Sequence, residues 1–182
     1  MKRLAILLFA LALPCAAAAA DYTVRPELSR LGFNGTYQGA AFNGSFGTWT
    51  AAINYDPANL ASSKFDVNVT LASVKTGDHD QESALPGVDF FNVTKFPTAH
   101  FVTTGFHQDG AQVIADGQLT LRGVTRPLSL TVLFKAQGSS ATLDVAGVLK
   151  RLDFGVGTGD YADTSVIGAS VKIIAHLQLA RK

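Results

Sequence analysis

The sequence predicts an all-β fold, an eight-stranded antiparallel barrel with a short helical lid segment, and three observations carry that expectation. Apolar and polar side chains alternate over much of the chain, turn residues recur at hairpin spacing, and one stretch, from Gly77 to Pro97, breaks the rhythm. With 182 residues, 47% hydrophobic and only 16% charged against ~25% on average, the chain can bury a sizeable core, and one domain is the natural expectation.

The first twenty residues, MKRLAILLFALALPCAAAAA, combine a basic start, an apolar run from Leu4 to Leu13 and small residues matching A-x-A before Asp21. That pattern is a secretory signal peptide, so residues 1–20 are expected to be cleaved and 21–182 to form the exported domain, in the periplasm or outside the cell. The apolar run is shorter than the ~20 residues that span a bilayer, although the following alanines extend it enough that an uncleaved anchor stays open as the minor reading. Cys15 lies inside the leader, which leaves the exported chain without disulfides, thiolate metal sites or cysteine nucleophiles. Losing Lys2 and Arg3 leaves 13 basic against 14 acidic residues, a net charge of −1 that gives nucleic acid no foothold.

The strand pattern is clearest from Lys64 to Leu71, where Phe65, Val67, Val69 and Leu71 share one face and Lys64, Asp66, Asn68 and Thr70 the other. The same alternation sets Val113, Ala115, Gly117, Leu119 and Leu121 inward, then Leu128 to Phe134, Ala141 to Leu149 and Val171 to Leu179. Upstream, Leu31, Phe33, Gly35 and Tyr37 alternate, followed by Phe42, Gly44 and Phe46. Trp49, Ile53 and Tyr55 then fall on the opposite parity, so a bulge near Gly47 is expected to restore them inward. Turns stand at Asp56-Pro57, Asp109-Gly110, Arg122-Gly123, Gly138-Ser139-Ser140 and Gly155 through Asp160. About eight strands at this spacing favour an up-and-down barrel over a parallel sheet.

In the interrupted stretch, Phe90, Phe91 and Phe96 are too apolar for a free loop, so it is expected to fold back as a lid across one barrel end. An eight-stranded barrel is just wide enough to be filled by side chains or to hold one small ligand. Small inward residues, Gly35, Gly44, Ala99, Ala115, Gly117, Gly147 and Ala175, leave room for a slender apolar cavity; sequence leaves the choice open.

Catalytic signals are weak. His79, His100, His107 and His176 form no H-x-H or H-E-x-x-H spacing, so no metal site is assigned. Asp78, Asp80 and Glu82 beside His79 lack the spacing of an EF-hand loop, and a solvated loop accounts for them. There is no G-x-S-x-G elbow, and Gly155-Val-Gly-Thr-Gly159 opens no helix and has no Lys after it, unlike a phosphate loop. Arg122, Arg126, Lys150 and Arg151 flank two turns and suit an anionic head group at a rim, although solvation at hairpin tips is the stronger reading. The N-x-[ST] matches at Asn34, Asn43, Asn68 and Asn92 are assigned no function.

Taken together, the ordered blocks resemble the YceI-like bacterial polyisoprenoid-binding proteins over nearly the whole exported chain. They are Leu31-Gly-Phe33 with Phe42-Asn-Gly-Ser-Phe46; Ile53-Asn-Tyr-Asp56-Pro57; Ala72-Ser-Val-Lys-Thr-Gly77; Leu85-Pro-Gly-Val-Asp-Phe90-Phe91; Phe96-Pro-Thr-Ala-His-Phe101; Gly117 through Pro127; and Arg151-Leu-Asp-Phe-Gly-Val156. The resemblance implies a lipocalin-like barrel with a short helical segment over it and a long apolar pocket for an isoprenoid chain. Gly155 through Tyr161 looks most like a branch encoded beside or fused to a membrane cytochrome of the b561 type, which implies quinone-related chemistry. Many relatives carry Arg-Asp-x-His-Leu where this chain has Gln81-Glu-Ser-Ala-Leu85, so no role of that histidine is carried over.

The reading that follows is a non-catalytic periplasmic carrier or store for a polyisoprenoid or isoprenoid-quinone-like lipid. The expected ligand-binding residues are Phe33, Phe42, Phe65, Val67, Val69, Phe101, Leu119, Leu130, Val132 and Ile173, with Phe90 and Phe91 at the lid. No catalytic residue, metal or cofactor beyond the bound lipid is expected. The alternatives are a filled barrel that docks a membrane b561-type cytochrome, and an enzyme acting on lipid at the rim through Asp78, Asp80 or Glu82. A homodimer stays open.

Overall fold

In the structure, a computed structural model describing residues 20–182, the strands are β1 (Ala20–Val24), β2 (Arg30–Tyr37), β3 (Ala40–Phe46), β4 (Trp49–Tyr55), β5 (Lys64–Thr70), β6 (Val74–Lys75), β7 (Thr98–Asp109), β8 (Gln112–Leu121), β9 (Val124–Gln137), β10 (Ser140–Lys150) and β11 (Ser170–Arg181). One helix, α1 (His79–Ala84), interrupts them. The expected leader lies outside the described residues except for Ala20, which opens β1 opposite Tyr55.

Eight strands close a ring in the order β1-β4-β5-β7-β8-β9-β10-β11, with β1 paired back to β11 and every pairing antiparallel. The expected barrel is therefore the observed one. Along β11, the partner changes from β1 at Leu179–Arg181 to β2 at Lys172–His176, and β2, β3 and β6 continue as a flap beside the upper half of the ring. The longer connections, 71–97 and 151–169, lie at this upper end, together with the β2–β3 and β8–β9 hairpins.

Parity explains where the alternation is legible and where it is not. Phe42, Gly44 and Phe46 face inward on β3, and Trp49, Ala51, Ile53 and Tyr55 face inward on β4. The switch is a break at Gly47-Thr48 rather than a bulge inside one strand. There the Gly47 N–H donates to the Ser73 carbonyl (3.0 Å) and the Thr48 N–H to Ser73 Oγ (3.0 Å), so the chain changes ladders without leaving these groups unpaired. In β7, a register shift between Thr103 and Gly105 moves the inward set from Ala99 and Phe101 to Phe106. That shift hides the strand from a period-two reading.

The lower half of the lumen is closed by aromatic rings. Tyr55 stands at its centre, 2% exposed, with ring centroids 4.9 Å from Phe134, 5.8 Å from Phe65 and 5.9 Å from Phe106, and Tyr22 meets Phe134 at 5.6 Å. Burial raises the Tyr55 pKa, with the Asp56 charge a smaller cause in the same direction. These tilted and edge-on contacts seal the floor.

Candidate functional site

Above that floor lies a cavity of about 200 Å³ whose exposed wall is entirely apolar. It runs from Ile53 and Phe65 up to Leu85, Phe90 and Phe91 under the lid, and Trp49, the chain's only tryptophan, lines one side. Of the residues singled out above, Phe33, Phe42, Phe65, Val67, Val69, Phe90, Phe91, Phe101, Leu119, Leu130 and Ile173 line it. Val132 does not. It is buried in register with Val113 and Val145, two residues before Phe134 of the aromatic floor.

The small inward residues shape this space differently from the expectation. Ala99 and Ala175 line the cavity directly, whereas the four inward glycines do not leave gaps of their own, because neighbouring side chains lie over them. A Cβ at Gly44 would stand 2.2 Å from the Phe33 ring, one at Gly35 2.7 Å from Phe42, one at Gly117 2.5 Å from Phe101 and one at Gly147 2.5 Å from Leu130. Each glycine thus lets a large neighbour lie along the wall instead of crossing the lumen, and the remaining space collects along the axis.

The lid is built from polar anchors outside and rings inside. Asp78 caps α1 by accepting from the Gln81 N–H (2.9 Å). Glu82 reaches back to the preceding loop, where it accepts from the Thr76 N–H (2.9 Å), the Gly77 N–H (3.0 Å) and Lys75 Nζ (3.0 Å). The Gly77 N–H is the largest cause, followed by Lys75 and the Thr76 N–H, of a Glu82 pKa lowered to about 2. This is the opposite of the upward shift a general acid needs. Asp80 points wholly into solvent, so the three carboxylates converge on nothing. Beyond α1, Phe91 packs on Phe46 at 6.1 Å and Phe90 on Tyr161 at 4.9 Å.

Two arginines hold the mouth in shape. Arg151, 3% exposed, donates from Nε to the carbonyls of Ile167 (3.3 Å) and Gly168 (3.1 Å), from Nη1 to Val156 (3.0 Å) and Gly157, and from Nη2 to Tyr161 and Ile167 (both 2.8 Å). The whole 151–169 connection is wrapped around this guanidinium, whose planar fork suits several carbonyls at once. Burial holds its pKa below the usual value. Arg122 joins that connection to the lid by donating to the Gly155 carbonyl and to the Val88 carbonyl (2.6 Å). Neither is solvated at a hairpin tip or free for an anionic head group, the two readings the sequence allows; both donate to backbone carbonyls instead. Arg126 and Lys150 are exposed. The signal that sequence reasoning lacked was the loop's fold, since Arg151 finds its partners 5 to 17 residues further on.

Three histidines stand on the outer wall, each beside an aspartate: His100 with Asp66 (2.9 Å), His107 with Asp116 (2.8 Å) and His176 with Asp144 (2.6 Å). Among the described residues, no three His, Cys, Asp or Glu side chains gather where they could hold a metal, and no helix is long and apolar enough to cross a membrane.

A closed antiparallel barrel with one hollow, lidded end places the molecule in the lipocalin-like class of barrel proteins. Within that class the chain belongs to the YceI-like domain family, whose sequence profile matches residues 22–179. It is 32% identical over 151 residues to Protein YceI of Shigella flexneri, covering 78% of this chain and 79% of the relative, and 31% identical with the same coverage to Protein YceI of Escherichia coli O157:H7. Among solved structures it resembles BcnA of Burkholderia cenocepacia, with a TM-score of 0.82 and 27% identity over 86% of this chain and 99% of the other. A polyisoprenoid binding domain from Saccharophagus degradans, implicated in plant cell wall breakdown, shares the fold at a TM-score of 0.65 and 15% identity, over 90% of this chain and 99% of that domain.

Proposed function

We propose that this protein binds a polyisoprenoid or isoprenoid-quinone-like lipid in the upper cavity and carries or stores it in the periplasm without covalent chemistry. The observation that carries the reading is the all-apolar wall of a lidded cavity set above a sealed floor. Its volume of about 200 Å³ lies below the ~300–1,000 Å³ of ordinary small-molecule pockets, so a slender chain suits it better than a bulky ring system. Apolar burial at about 25 cal/mol per Å² is sufficient to hold such a chain, less the cost of ordering it. The binding domain from Saccharophagus degradans supports the same class of ligand.

The test is native mass spectrometry of the protein isolated from the periplasmic fraction of its own host, followed by organic extraction. A stoichiometric isoprenoid is expected. An empty protein that also refuses added isoprenoids would favour the docking of a membrane b561-type cytochrome. Val69, which lines the cavity, provides the mutational check: Val69→Arg places an unpaired charge in an apolar lumen and is expected to abolish lipid retention. Val69→Phe, which fills the same space without charge, separates lost binding from lost folding.

A further inference from the structure

Among the described residues, eight large apolar side chains are markedly exposed, and four of them, Tyr37 (44%), Val88 (65%), Tyr161 (42%) and Val166 (39%), lie at the lidded end. They come from three separate segments, the β2–β3 hairpin, the lid and the 151–169 connection, and the structure ties those segments together. Tyr37 bridges to Ile167, the Gln38 N–H donates to the Val166 carbonyl (2.7 Å), the Tyr161 ring packs at a tilt against Phe90, and the Gly157 N–H donates to the Asp89 carbonyl (2.7 Å). The four therefore form one rim around the cavity mouth, continuous through Phe90 and Ile167 with the apolar lining.

We propose that this rim is a membrane-docking surface that rests on the head-group layer of a bilayer while lipid passes between bilayer and cavity. The inference rests on the lipid-binding reading, and the occupant follows from it. A long isoprenoid resides in bilayers, and a rim continuous with the cavity spares its tail a passage through water. Tyrosines suit an interface with one apolar and one wet side. The exposed charges on the lid and the 151–169 connection are Asp78, Asp80, Asp89, Asp153, Asp160 and Asp163 against Lys75 and Lys95, an acidic excess that gives no attraction to anionic head groups. The surface is therefore matched to neutral, zwitterionic lipid, with contact driven by apolar burial and indifferent to salt.

The experiment uses the exported chain and phosphatidylcholine vesicles carrying a long-chain isoprenoid quinone, with quenching of Trp49 in the cavity wall as the readout. The loading rate is expected to rise in proportion to vesicle concentration. In the Val88→Asp/Val166→Asp variant, whose changes sit on exposed side chains, that slope should fall by at least about tenfold. Quenching by a short-tailed, water-soluble quinone should be unchanged. Equal slopes in both proteins, or a rate independent of vesicle concentration, would overturn the docking proposal while leaving the cavity reading intact. Failure of both the long-chain and the short-tailed quinone to quench either protein would instead count against the lipid-binding reading on which the docking proposal rests. Acceleration by phosphatidylglycerol that salt abolishes would show that charge, rather than this rim, draws the protein to membranes. Sedimentation of both proteins completes the test: a dimer lost in the variant, with loading unaffected, would assign the rim to self-association.

Discussion

The lower end of the barrel stacks Tyr22, Tyr55, Phe65, Phe106 and Phe134 on one another across the lumen, whereas the upper end lays Phe33, Phe42 and Phe101 along the wall over glycines of the same sheet. The same residue type thus closes one half and leaves the other open. Phe33 also meets Phe42 (6.1 Å) and Phe46 (5.6 Å), so ring contacts occur in both halves; what differs is the glycine beside each of Phe33, Phe42 and Phe101, which gives the ring a place to lie along the wall. A barrel of fixed strand number can be filled and hollow at once, half by half.

Breaking the closed half should have the largest effect. Tyr55→Ala removes the ring at the centre of the floor and is expected to cost about 3–5 kcal/mol, read as a lower urea midpoint. At the open half, the corresponding support is Arg151. Arg151→Lys keeps the charge but loses the fork, leaving at least two carbonyls without donors, with an expected cost of about 3 kcal/mol. Hydrogen exchange should show the difference in kind, with faster exchange confined to the 151–169 connection and a floor that stays protected.

A third change tests the glycine mechanism itself. Gly44→Ala pushes the Phe33 ring from the wall toward the axis, at about 1–3 kcal/mol, and should reduce uptake of an isoprenoid chain far more than it lowers stability. Unchanged uptake would show that the ring has another place to go. The smallest effect concerns the lid. Because the folded-state pKa of Glu82 lies below its ordinary value of 4.5, its contribution is fully present above that pH and is lost as pH falls toward about 2. Exchange protection of α1 and of the 75–77 loop should decline across that window, and Glu82→Gln should show the weakened protection already at neutral pH.

Much of this arrangement is legible in sequence because a β-strand has a period of two and one side of a barrel wall is dry. The inward faces of β5, β8, β9, β10 and β11 follow directly from alternation, and the three phenylalanines of the 77–97 stretch announce a segment that folds back. Where the period is interrupted, the reading weakens. β7 is obscured by its register shift at Thr103–Gly105, and β1, five residues beginning at Ala20, shows too little alternation to be expected as a strand. Val132 shows a further limit, since inward parity says that a side chain is buried but not whether it borders the cavity: Val132 does not, while Val145, paired with it, does.

By itself, then, the sequence determined the fold class, the inward faces and an apolar lid, because each depends on local periodicity and hydrophobicity. Tertiary structure alone decided which inward glycines receive a ring, where the floor stops and the cavity starts, and how Arg151 organises a loop through carbonyls up to seventeen residues away. Those outcomes depend on cross-strand register and on where a long side chain finds unpaired backbone oxygens. Neither is written in any short stretch of residues, and both appear only when the barrel closes.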